Sequence, residues 1–290
     1  MEKTSTKQLY GLIGYPVKHS YSAFMHNAAF AHYKMDAVYE LFEVPPEKLQ
    51  EFLTRTIVVK KIKGFNVTVP HKENVYAYLK ENNGKISADA QKMKAVNTVV
   101  GGEGGILSGF NTDGAGFLED LKQRGIEVKN KNVSLIGAGG GAKAVAVALS
   151  SGNLKNFLIF DVDKSKSLRL AGIIKEFYPS IAAEAVESIE ELKIKEADIL
   201  INATPIGMKE LDPLLVKKEW LHPGIFVYDL IYNPSETKLL KTAKAAGCRT
   251  ANGRGMLLYQ GCLAFKHWTH KAAPVEVMRR ALFGEDPCLR

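Results

Sequence analysis

The chain is poor in cysteine. Only Cys248, Cys262 and Cys288 occur among its 290 residues, an odd number with no C-x-x-C spacing. That pattern argues against a disulfide framework and against a thiolate metal site. No apolar run approaches the roughly 20 residues that a membrane-spanning helix needs, and the polar residues 1–8 do not read as a secretory leader. Basic blocks are missing too. The formal charge is +8, but the lysines and arginines are scattered and no RNA-binding signature accompanies them. Nucleic acid is therefore not the expected partner, whereas a positive field suits a small anionic substrate. Internal repeats and low-complexity segments are absent. These absences leave a reduced, cytoplasmic protein with no metal, no membrane and a small-molecule ligand.

What is present is ordinary folded-protein composition, 46% hydrophobic and 24% charged, over a length of 290 residues that fits two domains. The most informative stretch is 132–150. Residues 133–136 are a short apolar run, read as a buried strand. The turn Gly137-Ala138-Gly139-Gly140-Gly141-Ala142 follows and leads into an Ala/Val/Leu-rich helix. This is strand, glycine turn, helix with G-x-G-x-x-A in register. The first glycine allows the tight turn, the second lets backbone approach a pyrophosphate, and the small sixth residue lets helix and strand pack. The helix N-terminus offers N–H groups and partial positive charge to phosphates. A second apolar run, 157–160, ends in Asp161, near the offset of about 20 residues where a ribose-binding acid stands. Asp161 would bond the ribose hydroxyls and repel a 2′-phosphate, which favours NAD over NADP.

The rest of the chain alternates strand and helix, which predicts a parallel, doubly wound sheet. Residues 9–13 and 38–42 read as strands flanking a helix over 23–33, for which Ser20 or Ser22 would serve as N-cap. Pro45-Pro46 opens another helix. Phe65, Val67 and Val69 alternate as a strand that Pro70 stops, and His71-Lys72 starts a helix. Thr68 and Lys72 thus fall at a strand's carboxyl end, where open α/β sheets hold ligands. Lys72 also opposes the macrodipole preference at that position, and His71 reads as a variable helix-start residue. Ser87 caps a helix through Met93; 96–100 and 106–110 form a hairpin that delivers Asn111-Thr112-Asp113-Gly114, where Asp113 could equally cap the next helix. Beyond the glycine turn, a helix follows Ser165, a weak strand lies near Ile181, a helix covers 189–194, and strands cover 199–201 and 225–230. Ser235 or Thr237 begins a further helix. Gly253-Arg254-Gly255-Met256 interrupts the pattern before a helical stretch at 257–267, and the tail from about Asn252 is expected to fold back on the first lobe.

Eight of these stretches together resemble the shikimate dehydrogenase family, in particular its quinate/shikimate dehydrogenase branch. They are G-Y-P-V-K-H-S-Y-S (14–22), N-V-T-V-P-H-K (66–72), A-V-N-T (95–98), F-N-T-D-G (110–114), G-A-G-G-G-A (137–142), N-A-T-P-I-G-M (202–208), Y-N-P (232–234) and G-M-L-L-Y-Q-G (255–261). They stand in family order across nearly the whole chain. The resemblance implies an α/β fold with an N-terminal αβ substrate domain (1–112, completed by helices in 253–290), a Rossmann-type doubly wound domain (113–252), and a cleft between them. It implies Lys72 and Asp113 as the catalytic pair. Ser20 and Ser22 would bind the substrate carboxylate with Tyr232 nearby, and Thr68, Asn97, Asp113 and Gln260 the ring hydroxyls. Gly137 to Ala142, Asp161, Asp163 and Lys164 would hold the dinucleotide, and Thr204, Pro205, Ile206, Met208, Gly253 and Met256 its nicotinamide end.

One departure bears on the cofactor. NADP-specific members carry Asn-Arg-Thr after the second Rossmann strand, whereas this chain has Asp161-Val162-Asp163-Lys164. Two acids replace the clamp, so NAD is preferred, while Lys164 and Lys166 keep NADP admissible. The expected reaction interconverts shikimate and 3-dehydroshikimate, and also quinate and 3-dehydroquinate. Alternatives are a dehydrogenase of the same two-domain fold acting on another hydroxy acid, and a non-catalytic NAD(H)-sensing protein, whose signature would be loss of Lys72 or Asp113. A homodimer is compatible with the sequence.

Overall fold

The computed structural model describes residues 7–102 and 105–284, so Cys288 lies outside the described residues. The chain forms two compact units, Met1–Thr112 with Leu258–Arg290, and Asp113–Leu257. The second boundary falls inside a helix, five residues beyond the break read at 252/253, so Gly253 and Met256 belong to the middle unit.

In the first unit, β1 (Gln8–Gly14) pairs in parallel with β2 (Ala37–Glu43) and β3 (Ile62–Val67). Helix α1 (Ser22–His32) connects the first two strands and buries Met25, Ala29 and Phe30. Between β2 and β3 the chain is helical over 46–59, but not regularly so. A 3₁₀ turn Pro46–Lys48 leads into α2 (Leu49–Glu51), a π-helical turn Phe52–Thr56 and α3 (Ile57–Val59). That irregular run seats Leu49, Phe52, Leu53 and Ile57 on the same apolar cluster as Phe65 and Val67. Next come α4 (Lys72–Glu81), β4 (Lys85–Ile86) and α5 (Ala88–Met93), the last capped by the Ser87 hydroxyl. β5 (Thr98–Gly101) and β6 (Leu107–Phe110) form the antiparallel hairpin. The sheet order is β2-β1-β3-β5-β6-β4.

The middle unit opens with α6 (Asp113–Gln123), followed by β7 (Asn132–Ile136), α7 (Gly140–Ser150), β8 (Asn156–Phe160), α8 (Lys164–Phe177) and β9 (Ala182–Ala185). It continues through β10 (Ile199–Asn202), β11 (Phe226–Asp229), α9 (Lys238–Ala245) and β12 (Arg249–Asn252). All six strands are parallel in the order β12-β11-β10-β7-β8-β9. This is the doubly wound dinucleotide-binding arrangement, its order reversing between β7 and β10. The inner strands β7, β10 and β11 are almost wholly buried, as a sheet covered on both faces requires.

Three local readings change. Residues 189–194 do not form a helix; two 3₁₀ turns, Glu190–Leu192 and Ile194–Glu196, flank Lys193, whose left-handed φ of 49° breaks the α pattern. Helix α8 begins at Lys164, so Ser165 lies inside its first turn and not before it, and the cap is Asp163, whose carboxylate accepts the Ser165 N–H. Gly253 to Met256 leads directly into α10 (Arg254–Thr269), with Gly255 inside the helix: a Cβ there would overlap the Asp120 carboxylate. Helix α11 (Val275–Phe283) completes the first unit against α1.

Candidate functional site

In the first unit, Thr68, Lys72 and Asn97 are brought together by backbone pairing. Thr68 leaves β3 with its N–H on the Ile13 carbonyl (2.9 Å), and its own carbonyl accepts from His71 N–H. Lys72 is the first residue of α4, half-buried, and its carbonyl accepts the Val96 N–H at 2.9 Å. Asn97 follows immediately. Its side-chain oxygen accepts the Thr112 N–H (2.8 Å) and the Thr98 hydroxyl (2.9 Å), and its amide nitrogen donates to the Thr112 hydroxyl (3.1 Å). Thr112 is thereby fixed to Asn97, the residue before β5. Gln260 lies on α10 and is largely buried; at the next position a Cβ on Gly261 would overlap Met25 of α1.

The two serines are neighbours. Ser20 Oγ donates to Ser22 Oγ at 3.2 Å and accepts the Ser22 N–H at 3.3 Å. Neither caps α1, whose N-cap is Tyr21 without a side-chain bond. Tyr39 is a fully buried ring, and burial pushes its ionisation far up, with Ser22 opposing. Tyr39 OH in turn donates to Asn66 Oδ1 at 2.8 Å, and Asn66 Nδ2 donates to Thr98 Oγ1 at 3.0 Å and to the Asn97 carbonyl at 3.2 Å. A buried hydrogen-bonded chain therefore runs from Tyr39 to Thr112. Tyr39, Asn66, Thr98 and Thr112 were given no role from sequence, although Asn66 sits inside the N-V-T-V-P-H-K motif. His71 is the N-cap of α4, in keeping with its helix-start position, but its ring is fully buried and its Nε2 donates to the Val44 carbonyl at 2.5 Å.

In the middle unit the remaining residues gather at the carboxyl ends of the strands. Gly137 has φ +101°, and a Cβ there would stand 2.9 Å from the Ala203 carbonyl, so only glycine makes this turn without strain. Gly139 is the N-cap of α7 and provides no side-chain cap. A Cβ at Gly139 or Gly140 would meet no atom within 4 Å. Packing therefore does not demand glycine there, and the open space lies over the uncapped first turn of a helix, which fits a pyrophosphate. Gly141 and the buried Ala142 follow, the latter letting α7 close on the sheet. Asp161 accepts the Ala138 N–H at 2.7 Å and the Asp163 N–H at 2.8 Å. The Asp163 carboxyl is held below its usual range, chiefly by the Ser165 hydroxyl and against slight desolvation. Lys164 pairs with Glu187, and Lys166 lies 3.6 Å from Asp163.

Thr204, Pro205, Ile206 and Met208 follow β10, with Met208 and Pro205 exposed. Tyr232 follows β11, and Gly253 and Met256 follow β12. Gly253 donates its N–H to the Ile231 carbonyl (3.1 Å), and a Cβ on it would overlap the Leu230 carbonyl. Among the described residues no helix is long and apolar enough to cross a membrane.

Residues 12–99 match the family model described as the shikimate dehydrogenase substrate binding domain, and 253–283 match the shikimate 5'-dehydrogenase C-terminal domain. The chain is 41% identical to the shikimate dehydrogenase (NADP(+)) of Caldanaerobacter subterraneus subsp. tengcongensis, over 98% of this chain and 100% of that one. It is similar to the shikimate 5-dehydrogenase of Listeria monocytogenes solved in complex with shikimate and NAD, with a TM-score of 0.89, 36% identity, and coverage of 98% and 99%. It is also similar to the quinate dehydrogenase of Corynebacterium glutamicum solved with NAD, with a TM-score of 0.86, 31% identity, and coverage of 95% and 98%. The chain belongs to the shikimate dehydrogenase family of NAD(P)-dependent oxidoreductases.

Proposed function

We propose that the protein interconverts shikimate and 3-dehydroshikimate, and quinate and 3-dehydroquinate, with NAD preferred over NADP. The observations that carry the substrate assignment are the paired hydroxyls of Ser20 and Ser22 and the buried chain from Tyr39 through Asn66 and Asn97 to Thr112. They give fixed orientations to polar groups that a polyhydroxylated carboxylate can bond. Ser20 and Ser22 take the carboxylate, with Tyr232 beside it, and Thr68, Asn97, Asp113 and Gln260 take the ring hydroxyls. The first unit is the substrate-binding domain and the middle unit the dinucleotide-binding domain.

The cofactor preference is supported by Asp161 and Asp163 standing where NADP-specific members carry a phosphate clamp, and by Lys164 being paired with Glu187. Curated relatives at 39% to 43% identity are named for NADP(+), so the preference is particular to the sequence of this loop. The glycine turn and α7 hold the pyrophosphate, Asp161 the ribose, and Thr204 to Met208 with Gly253 and Met256 flank the nicotinamide. When bound, the dinucleotide accepts or supplies a hydride. Oxidation of a secondary alcohol also releases the hydroxyl proton. Lys72 takes that proton and returns it in reduction, and Asp113 orients the amine and the hydroxyl.

Steady-state kinetics with shikimate or quinate, each with NAD or NADP, test the reading. NAD-dependent turnover that falls at least about 10³-fold in Lys72→Ala is expected. Preference for NADP rejects the Asp161 argument alone, and no turnover with any pair rejects the substrate assignment.

A further inference from the structure

At the carboxyl end of β11 stands an acid to which none of the reactions above assigns a task. Asp229 is fully buried, and its hydrogen-bond partners are neutral donors. The Thr237 hydroxyl donates to one carboxylate oxygen at 2.7 Å. The Ile231 N–H (3.1 Å) and the Asn202 side-chain amide (3.0 Å) donate to the other. Burial pushes this carboxyl above its ordinary range, with those three bonds opposing. A buried carboxylate without a cation costs stability, so its presence calls for a task that an apolar side chain would not perform.

The partners show the task. Asn202 is also fully buried, and the amide nitrogen that reaches Asp229 also donates to the Ile206 carbonyl at 3.1 Å. Its side-chain oxygen accepts both the N–H (3.0 Å) and the hydroxyl (2.7 Å) of Thr204. The Thr204 hydroxyl in turn accepts the Ile206 N–H at 3.2 Å. Every polar atom of the Asn202 side chain is thus spent on shaping the loop 204–206, and Asp229 fixes which way that side chain faces. Through the same oxygen Asp229 holds Ile231, the residue before Tyr232, and the Ile231 carbonyl accepts the Gly253 N–H. The loops after β10 and β11 thus meet on one carboxylate, and the loop after β12 is tied to it through Ile231.

We propose that Asp229 is the positioning residue of the nicotinamide end, setting the loop 204–206 through Asn202 and the Tyr232 and Gly253 loops through Ile231. It touches neither cofactor nor substrate. The proposal rests on the assignment of nicotinamide to the 204–208 loop made above.

The test compares binding of NAD with that of ADP-ribose, which lacks the nicotinamide, by calorimetry on the full chain. Asp229→Ala is expected to weaken NAD about tenfold, the cost of freeing one buried hydrogen-bonded group. It should leave ADP-ribose within about twofold and lower kcat more than it raises the KM for shikimate. Asp229→Asn can accept from Asn202 and Ile231 and donate to Thr237, so it should restore the ratio. Should the alanine variant not fold, Thr237→Val removes one donor and should shift the same ratio by a smaller factor. Equal weakening of both ligands, or failure of the asparagine variant to rescue, overturns the proposal. Met208→Ala separates it from its premise. A selective NAD loss there but not in Asp229→Ala rejects only the role of Asp229, and no selective loss in either rejects the placement of nicotinamide.

Discussion

The Asp161 carboxylate accepts the Ala138 N–H at 2.7 Å, so the acid that ends β8 is tied to the glycine turn that follows β7. Under the proposed function its charge faces the adenosine ribose, and its geometry is set by the backbone of the glycine turn.

Replacing Asp161-Val162-Asp163 by Asn-Arg-Thr should move the preference toward NADP. Asparagine can still accept from Ala138, and threonine can still cap α8. An arginine–phosphate pair contributes about 1.5–3 kcal/mol, so the ratio of kcat/KM for NADP over NAD should rise at least about tenfold. An unchanged ratio would show that these three positions do not choose the cofactor.

Gly137 and Gly139 should fail differently on substitution by alanine. Gly137→Ala meets the Ala203 carbonyl at φ +101° and should lower the thermal midpoint by several degrees, in line with about 1–3 kcal/mol of strain. Gly139→Ala meets nothing in the protein, so the midpoint should stay while the KM for NAD rises. A large stability loss at Gly139 would contradict the reading of that open space as phosphate room.

Tyr39→Phe should loosen the buried chain. Asn66 Oδ1 loses its phenol donor, which costs about 1–3 kcal/mol when no water replaces it. Denaturant unfolding should show that loss, and the KM for shikimate should rise because Asn66, which bonds Thr98 and the Asn97 carbonyl, loses its anchor. An unaltered KM would mean that the chain serves stability alone.

His26 should make the protein acid-sensitive. Burial drives its imidazole down to about 3, with the Asn66 side chain opposing, and the ring stacks 4.6 Å from Tyr39. An unfolded histidine takes its proton near 6.5, whereas folded His26 stays neutral until about 3. Stability is therefore full above about pH 6.5 and is lost as pH falls through that window, by up to roughly 5 kcal/mol. In His26→Phe the slope of unfolding free energy between those pH values should flatten; identical slopes would assign the acid sensitivity elsewhere.

Much of this architecture was readable because periodicity and turns report local geometry. Strands at β7 and β8, the Ser87 cap and the hairpin that delivers Asp113 are written in apolar runs, a serine before a helix and a glycine-rich turn. The apolar runs and the proline that ends one of them placed Thr68, Lys72 and Asp161 at strand ends. Other features depend on neighbours distant in sequence. His71 reads as a helix-start residue, and only the fold brings the Val44 carbonyl to its ring. Gly255 looks like a helix break until Asp120 is packed where its side chain would be. Asp229 reads as the last polar residue of a strand, and only the fold gathers Asn202, Ile231 and Thr237 around it. Lys193 in the left-handed region broke the helix expected at 189–194 without any glycine to announce it.

The first unit is assembled from two separated lengths of chain. Trp268 donates to the Val99 carbonyl at 3.0 Å and fills the space that a side chain on Gly64 would need, and Phe265 packs 5.8 Å from Phe30. On a ribosome those aromatic residues emerge only after the whole middle unit has been made. Residues 7–112 must wait with one face of their core uncovered, while 113–257 already has every strand of its sheet. The order of maturation is therefore the reverse of the order of synthesis: the middle closes before the beginning. A released chain truncated after residue 257 should resist protease across 113–257 and be cut within 7–112.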